Sequence, residues 1–117
     1  MMNGINPLLC CDSCEINWLI GEINNENFGI LLDTAHLKVS CNTLNKNIET
    51  ELDNIETSVK ALHHSDNEGF KDNNMSISNS YWFLKHLNKF KNIPHTIEVK
   101  NLTEFQIKEQ INILNKK

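Results

Sequence analysis

The amino-acid sequence predicts an α/β protein in which parallel strands alternate with helices. Short apolar runs of strand length alternate with segments whose apolar residues recur at helical spacing. Strands that are separated by helices pair in parallel, because the crossover returns the chain to the same end of the sheet. About the length of one strand–helix unit separates Asp33 from His63, and a similar length separates His63 from Glu98.

The first predicted elements are a helix near residues 13–24 and a short strand. Asp12 and Glu15 form a capping box at the start of the helix, and four apolar residues follow at helical spacing: Ile16, Leu19, Ile20 and Ile23. The run 28–32 is apolar and nearly continuous and ends at Asp33. Its lack of alternation predicts a strand that is buried on both faces.

A second strand–helix pattern follows a polar stretch. Apolar residues at helical spacing predict a helix near 44–57, marked by Leu44, Ile48, Leu52 and Ile55. Residues 58–62 form the second predicted strand, which ends at His63. The polar segment 65–79 is predicted to be a long loop.

The last third of the chain predicts two helices around a third strand. Ser80 is a candidate cap for a helix that carries Trp82, Phe83, His86, Leu87 and Phe90. The strand covers residues 95–97 and ends at Glu98. Thr103 and Gln106 fit another capping box, and the inner face of the final helix is predicted to carry Phe105, Ile107, Ile111 and Leu114.

Composition excludes several classes of protein. The chain has 117 residues, of which 39% are hydrophobic, so one domain with a modest core is expected. The net charge is −4, and every basic residue is Lys, which argues against a nucleic-acid partner. No apolar run approaches the ~20 residues of a membrane helix, so no membrane partner is expected and we predict a cytoplasmic protein.

The cysteines do not indicate a secreted disulfide framework. Cys10, Cys11 and Cys14 are bunched near the N-terminus and Cys41 stands alone, which favours a reducing compartment. The spacing of Cys11 and Cys14 is also typical of half a zinc site or of a redox pair. The second half of a zinc site is missing, and no strand ends just before the pair, so free thiols are the preferred interpretation and the role of these cysteines stays open.

Three candidate metal ligands occupy equivalent places in the predicted fold. Asp33, His63 and Glu98 each stand at the carboxyl end of an apolar strand. In a parallel α/β sheet those ends form one rim, where active sites are built. Two carboxylates and an imidazole suit a divalent ion such as Mn, Zn, Co, Fe or Mg. The competing interpretation is that a single acidic residue, such as Asp33, only caps the next helix.

Three segments resemble motifs of the xylose-isomerase-like TIM-barrel superfamily, which contains sugar phosphate isomerases and epimerases and has endonuclease-IV-type relatives. Residues 29–37 are similar to its "LDxxH" segment, residues 63–72 to its "HxxDNxGxxD" segment, and residues 96–99 to the Glu motif of its final strand. The resemblance covers about residues 12–117. It implies a partial (β/α)8 barrel in which residues 1–117 form the C-terminal half.

The resemblance implies a role for each matching residue. Asp33, His63 and Glu98 would bind the metal, and Glu98 would also move a proton beside the carbonyl of a sugar or sugar phosphate. His36 would contact sugar hydroxyls or a second metal. Asp66 and Asp72 would order the motif loop and reach the site. Trp82, whose predicted helix follows that loop, is a further candidate for substrate contact, although aromatic residues at such spacing more often belong to a core.

Two departures from the family pattern limit the expected activity. The DNA-repair relatives carry a His where this chain has Asn74, so an endonuclease-like phosphodiesterase is the lowest-ranked alternative. The family's fourth metal ligand, a Glu at the end of the fifth barrel strand, has no counterpart here. We therefore expect weak metal binding by this chain alone, and completion by an N-terminal half-barrel or by self-association. The main alternative is a catalytically silent truncated barrel or subunit.

Overall fold

The structure of the chain is a computed structural model, and it describes residues 9–115. Its helices are α1 (Ser13–Ile23), α2 (Thr34–Thr43), α3 (Ile48–Ile55) and α4 (Glu104–Asn115), with 3-10 turns at Glu56–Ser58 and Leu84–Phe90. Its strands are β1 (Ile30–Asp33), β2 (Val59–His64) and β3 (His95–Ile97). Helices and strands alternate along most of the chain, as the sequence predicts.

The three strands form one parallel sheet in the order β1-β2-β3. Asp33 is paired with His63, and His64 is paired with Ile97. The pairing continues beyond β3, because the amide of Glu98 donates to the carbonyl of His64 over 2.9 Å. The sheet therefore confirms a parallel α/β architecture and aligns the carboxyl ends of all three strands.

Two segments differ from the sequence-based expectation. The polar stretch after Asp33 folds as helix α2, which the pattern of apolar residues did not indicate. The segment Leu84–Phe90 is a 3-10 helix instead of the regular α-helix that was predicted from Ser80 onward. It nevertheless buries His86, Leu87 and Phe90, so its inward face is as expected.

Strand β1 is not buried on both faces, contrary to the prediction. Leu32 is 6% exposed, whereas Leu31 is 54% exposed and lies on the open side of the sheet edge. Strand β1 has a partner on one side only. The continuous apolar run therefore has one buried face, which carries Leu32, and one largely exposed face, which carries Leu31.

The core lies between the sheet, helices α2 and α3, and the aromatic segment that follows the loop. Leu62 and Phe83 are fully buried, and Leu52 and Ile55 of α3 are 1% exposed. Phe83 stacks on Phe90 with ring centroids 5.4 Å apart. Burial of these side chains supplies the main driving force for folding.

Helix α1 is joined to α3 by a buried polar contact. The carboxylate of Glu51 accepts from the amide of Ser13 over 2.8 Å and from its hydroxyl over 2.9 Å. The side chain of Asp12 accepts from the amide of Glu15, so the predicted cap at this helix is confirmed. A carboxylate at a helix N-terminus is favoured, because it accepts hydrogen bonds from unpaired amides and interacts favourably with the positive end of the helix dipole.

The inner face of α4 was predicted correctly only at Leu114, which is half-buried and packs against the core. Phe105 is 70% exposed, and Ile107 and Ile111 are 42% and 43% exposed. The buried residue of the helix is Gln110, whose amide group accepts from the Ile77 amide over 2.7 Å and donates to the Ile77 carbonyl over 2.9 Å. The capping box at Thr103 and Gln106 is confirmed by reciprocal hydrogen bonds.

Within residues 9–115, the helices are all too short or too polar to cross a membrane.

Candidate metal centre

Asp33 has two structural duties at the end of β1. One oxygen, Oδ1, accepts from the amides of Ala35 and His36 over 3.0 and 2.9 Å and so caps helix α2. The other oxygen, Oδ2, lies 3.7 Å from Nδ1 of His36. The capping role that the sequence offered as a competing interpretation is therefore correct, yet it occupies only one of the two carboxylate oxygens.

Asp33, His63 and Glu98 converge as the sequence predicts. Each offers one potential ligand atom, and these atoms all lie within 4.8 Å of one another. The convergence follows from the sheet, because Asp33 and His63 are register partners and Glu98 continues the pairing of β3 with β2. Residues up to 65 positions apart in sequence thereby meet at one rim.

The centre is polar and half-open to solvent. His63 Nδ1 lies 2.9 Å from Glu98 Oε2. The Asp33 side chain is 13% exposed, whereas the side chains of His63 and Glu98 are 30% and 48% exposed. Asp33 is thus the sheltered member, and Glu98 is the member that faces solvent.

The donor set fits a divalent cation. Two carboxylates and one imidazole match the mixed oxygen and nitrogen preference of Mn, Zn, Co and Fe(II). Ligand atoms around such an ion are typically ~3–4 Å apart, since metal–ligand bonds measure about 2.0–2.2 Å. The observed spacing requires only small side-chain movements, and the two negative charges would be balanced by the ion.

The motif loop after β2 is held against helix α2. The side chain of Asn67 donates to the Ala35 carbonyl over 3.0 Å and accepts from the amide of Gly69 over 2.8 Å. Gly69 has φ +94°, a conformation that favours glycine. Lys38 pairs with Asp66 over 2.8 Å and also donates to the carbonyl of Asn67. Asp66 therefore orders the loop through Lys38.

The pinned loop places Asp72 beside His36. Asp72 Oδ2 lies 2.6 Å from His36 Nε2, and the other ring nitrogen of His36 faces Asp33. His36 consequently bridges a loop carboxylate and a member of the candidate metal centre. The structure thus brings together Asp33, His36 and Asp72, all of which the sequence singled out.

An apolar cleft of about 580 Å³ opens beside this group. Its walls include Leu19 and Ile20 of α1, and Leu31 of the β1 edge. Asp33, His36 and Asp72 stand among its lining residues and supply its polar part. A mainly apolar pocket with a few convergent polar groups is the usual form of a small-molecule site.

Trp82 packs among core aromatic residues. Its ring meets Phe83 edge-on at 5.2 Å between centroids and lies 5.9 Å from the ring of His86. Trp82 is half-buried and does not line the cleft described above. Its assignment as a substrate contact stays a prediction.

Helix α3 holds His86 near a carboxylate. Glu49 Oε2 lies 2.7 Å from His86 Nε2, and Glu49 Oε1 lies 2.7 Å from Lys85 Nζ. The hydrogen bond from Lys85 is the main reason why the pKa of Glu49 is below its usual value. These residues connect α3 with the 3-10 helix and are separate from the candidate centre.

Among the buried polar residues behind the rim, alternation along the strand predicts His64 as a structural residue on the opposite face from His63, whereas sequence reasoning gave no role to Tyr81 or His95. His64 is fully buried, and burial lowers its pKa to about 4, with smaller effects from His95 and His63. Tyr81 is also buried, which raises its pKa. The sequence signal was the doublet His63-His64 at a strand end, since alternation along a strand turns one ring to each face.

The cysteines do not form a metal site in the described part of the chain. Cys10 and Cys14 are exposed, Cys11 is half-buried and Cys41 is buried, all as free thiols. Asp33, His63 and Glu98 are the group of metal-ligating side chains found within residues 9–115.

Comparison of the chain with protein family models, with curated proteins and with solved structures finds no match.

Proposed function

We propose that this chain binds a divalent metal ion through Asp33, His63 and Glu98. The observation that carries the proposal is the convergence of three ligand atoms within 4.8 Å at the ends of three adjacent parallel strands. The adjacent cleft, with its polar end at Asp33, gives such an ion access to a small molecule.

The reaction class that we propose is metal-dependent isomerisation or epimerisation of a sugar or sugar phosphate. The support is the resemblance of residues 29–37, 63–72 and 96–99 to motifs of that superfamily, together with the polar end of the cleft. A bound divalent ion would supply Lewis-acid stabilisation of negative charge on a substrate oxygen. Glu98, the more exposed carboxylate, would hold or move a proton in this reaction. His36 and Asp72 would bind substrate hydroxyls at the cleft.

The chain is proposed to be the C-terminal portion of a barrel that another half completes. Strands β1 and β3 are the two edges of the described sheet, and the open edge of β1 borders the apolar cleft. Unpaired strand edges with exposed apolar residues such as Leu31 favour association. Light scattering after size-exclusion chromatography tests self-association, and a monomer at high concentration would contradict it.

Metal titration tests the proposed function. Electron paramagnetic resonance counts free Mn²⁺ in the presence of the protein, so it also measures weak binding. One site is expected, with weak affinity, because residues 9–115 contribute only three ligands to it. Sub-micromolar affinity would show that the site is already complete.

Matched variants identify the ligands. Asp33→Asn, His63→Gln and Glu98→Gln are each expected to weaken Mn²⁺ binding at least about tenfold. Asp53→Asn is the control, because Asp53 is an exposed acidic residue of α3. Equal affinities of the three variants and the control would refute the metal site.

A catalytically silent subunit is the alternative function. It would bind the ion with the same three residues yet leave sugar substrates unchanged. Assay of the Mn²⁺-loaded protein against a panel of aldoses, ketoses and their phosphates separates the two, since only the isomerase interconverts them.

A further inference from the structure

A chain of hydrogen-bonded side chains runs behind the three strand ends, outside the proposed metal centre. His95 Nε2 lies 2.8 Å from the Phe90 carbonyl oxygen, and His95 Nδ1 lies 2.8 Å from His64 Nε2. His64 Nδ1 lies 2.8 Å from the Tyr81 hydroxyl, which also contacts the Thr34 hydroxyl. The rings of His64 and His95 are stacked, with 13° between their planes.

The direction of these hydrogen bonds is fixed from one end. The Phe90 carbonyl only accepts, so His95 Nε2 carries a hydrogen. In the neutral ring, His95 Nδ1 then accepts from His64 Nε2. His64 Nδ1 in turn accepts from the Tyr81 hydroxyl. Each side-chain nitrogen and oxygen of this hydrogen-bonded network has a partner in this arrangement, which is the condition for a stable buried network.

The hydrogen-bonded network contacts the backbone of every strand that carries a proposed ligand. Thr34 directly follows Asp33, and its hydroxyl lies 3.3 Å from the carbonyl oxygens of His63 and Ser65. The carbonyl of His64 accepts from the amide of Glu98. His95 is the first residue of β3. A shift at Tyr81 or His64 would therefore move the ends of all three strands relative to one another.

We propose that Thr34, Tyr81, His64 and His95 act as positioning residues, which hold the strand ends at the spacing that lets Asp33, His63 and Glu98 share one divalent ion. This inference rests on the proposed metal-binding function. The hydrogen-bond geometry assigns a hydrogen to Nε2 of both His64 and His95.

The first test is the protonation pattern of the two rings in metal-free protein. Long-range ¹H–¹⁵N NMR spectra at neutral pH distinguish the two neutral forms of histidine from the charged form. Both His64 and His95 are expected to carry hydrogen on Nε2. Hydrogen on Nδ1 of either ring, or a charged ring, would overturn the inference.

The second test removes one hydroxyl at a time. Tyr81→Phe keeps the ring against Phe83 and deletes the donor to His64, and Thr34→Val deletes the other hydroxyl with little change in volume. Each is expected to weaken Mn²⁺ binding about tenfold, as is typical when a partner that orients a metal ligand is lost. Thr34→Ser restores a hydroxyl and is expected to retain the parental affinity.

Ser13→Ala is the matched control for loss of stability. It removes a buried hydroxyl that contacts Glu51, in a different part of the molecule, and is expected to leave Mn²⁺ affinity unchanged. If Tyr81→Phe does not fold, the pair Thr34→Val and Thr34→Ser decides. If the parental protein binds Mn²⁺ and the variants that lack a hydroxyl bind it equally well, the positioning role alone is overturned. Parental protein that binds no Mn²⁺ would overturn the proposed function and this inference together.

Discussion

His63 Nδ1 lies 2.9 Å from Glu98 Oε2, at the point where strands β2 and β3 both end. The pair is partly exposed, so its contribution to folding is that of a surface ion pair or weaker. Its position inside the candidate metal centre, and not its strength, is what makes it informative.

Glu98→Gln is accordingly expected to separate binding from stability. The free energy of unfolding should change by less than about 1 kcal/mol, because exposed pairs contribute little. Mn²⁺ affinity should fall sharply, because the variant loses a negatively charged ligand. Urea unfolding and EPR titration of the same samples measure both quantities. A large loss of stability with unchanged Mn²⁺ affinity would show that the pair is structural.

Asp33 allows its capping and ligand roles to be separated. Asp33→Asn retains a side-chain oxygen that can cap α2, whereas Asp33→Ala removes the cap that now accepts from Ala35 and His36. Asp33→Ala should lower the free energy of unfolding by about 1 kcal/mol relative to Asp33→Asn. Both variants should lose Mn²⁺ affinity to a similar extent. Parental affinity in Asp33→Asn would mean that this residue is only a cap.

The sequence predicts where strands end and where capped helices start better than it predicts which side chains are buried. Asp12, Thr103 and the ends of β1 and β3 were placed correctly, and β2 ends one residue later than predicted, because capping and turn signals act over a few residues. Leu31 was expected to be buried and is exposed, because burial of a strand residue depends on whether another layer of the fold covers its face of the sheet.

The remaining differences also arise from tertiary contacts. Helix α2 was missed because its apolar residues do not form a regular helical stripe, and Asp33 was interpreted first as a ligand and only second as its cap. Gln110 is buried because it satisfies the backbone of Ile77, a distant loop residue. The candidate centre was predictable because the carboxyl ends of parallel strands form one rim, and each of its three residues stands at such an end.

His64 should make stability depend on pH. Its pKa is lowered to about 4 in the folded protein, mainly by burial, so the unfolded chain binds more protons between that value and about 6.5. The contribution of His64 to the free energy of unfolding is fully present above the pKa that this histidine has in the unfolded chain. It is lost as the pH falls towards 4. Unfolding free energy should decrease by about 2 kcal/mol from pH 7 to pH 5 through this residue.

Urea unfolding at pH 7 and pH 5 measures this effect. His36→Gln is the control, because His36 is exposed and its replacement should leave the dependence on pH from His64 intact. The NMR titration of His64 assigns the effect to this ring. A normal titration of His64 near pH 6.5 in folded protein would contradict the prediction.

Cys41 should be the least reactive thiol among the four. Burial and the nearby charge of Glu51 raise its pKa to about 11, so the nucleophilic thiolate is scarce at neutral pH. Iodoacetamide at pH 8 should label Cys10 and Cys14, which are exposed, well before Cys41. Mass spectrometry of digested samples locates the label, and unfolding in guanidinium should make Cys41 reactive. Rapid labelling of Cys41 in folded protein would show that it is accessible.

The most direct test of the metal centre is anomalous X-ray scattering from a crystal soaked in Mn²⁺. We expect one strong anomalous peak within bonding distance of Asp33, His63 and Glu98, about 2.0–2.3 Å from one atom of each. Crystals of Asp33→Asn soaked at the same Mn²⁺ concentration should show a weaker peak at this position. An Mn²⁺ peak elsewhere, or none at saturating Mn²⁺ while the three side chains keep their hydrogen bonds, would contradict the account.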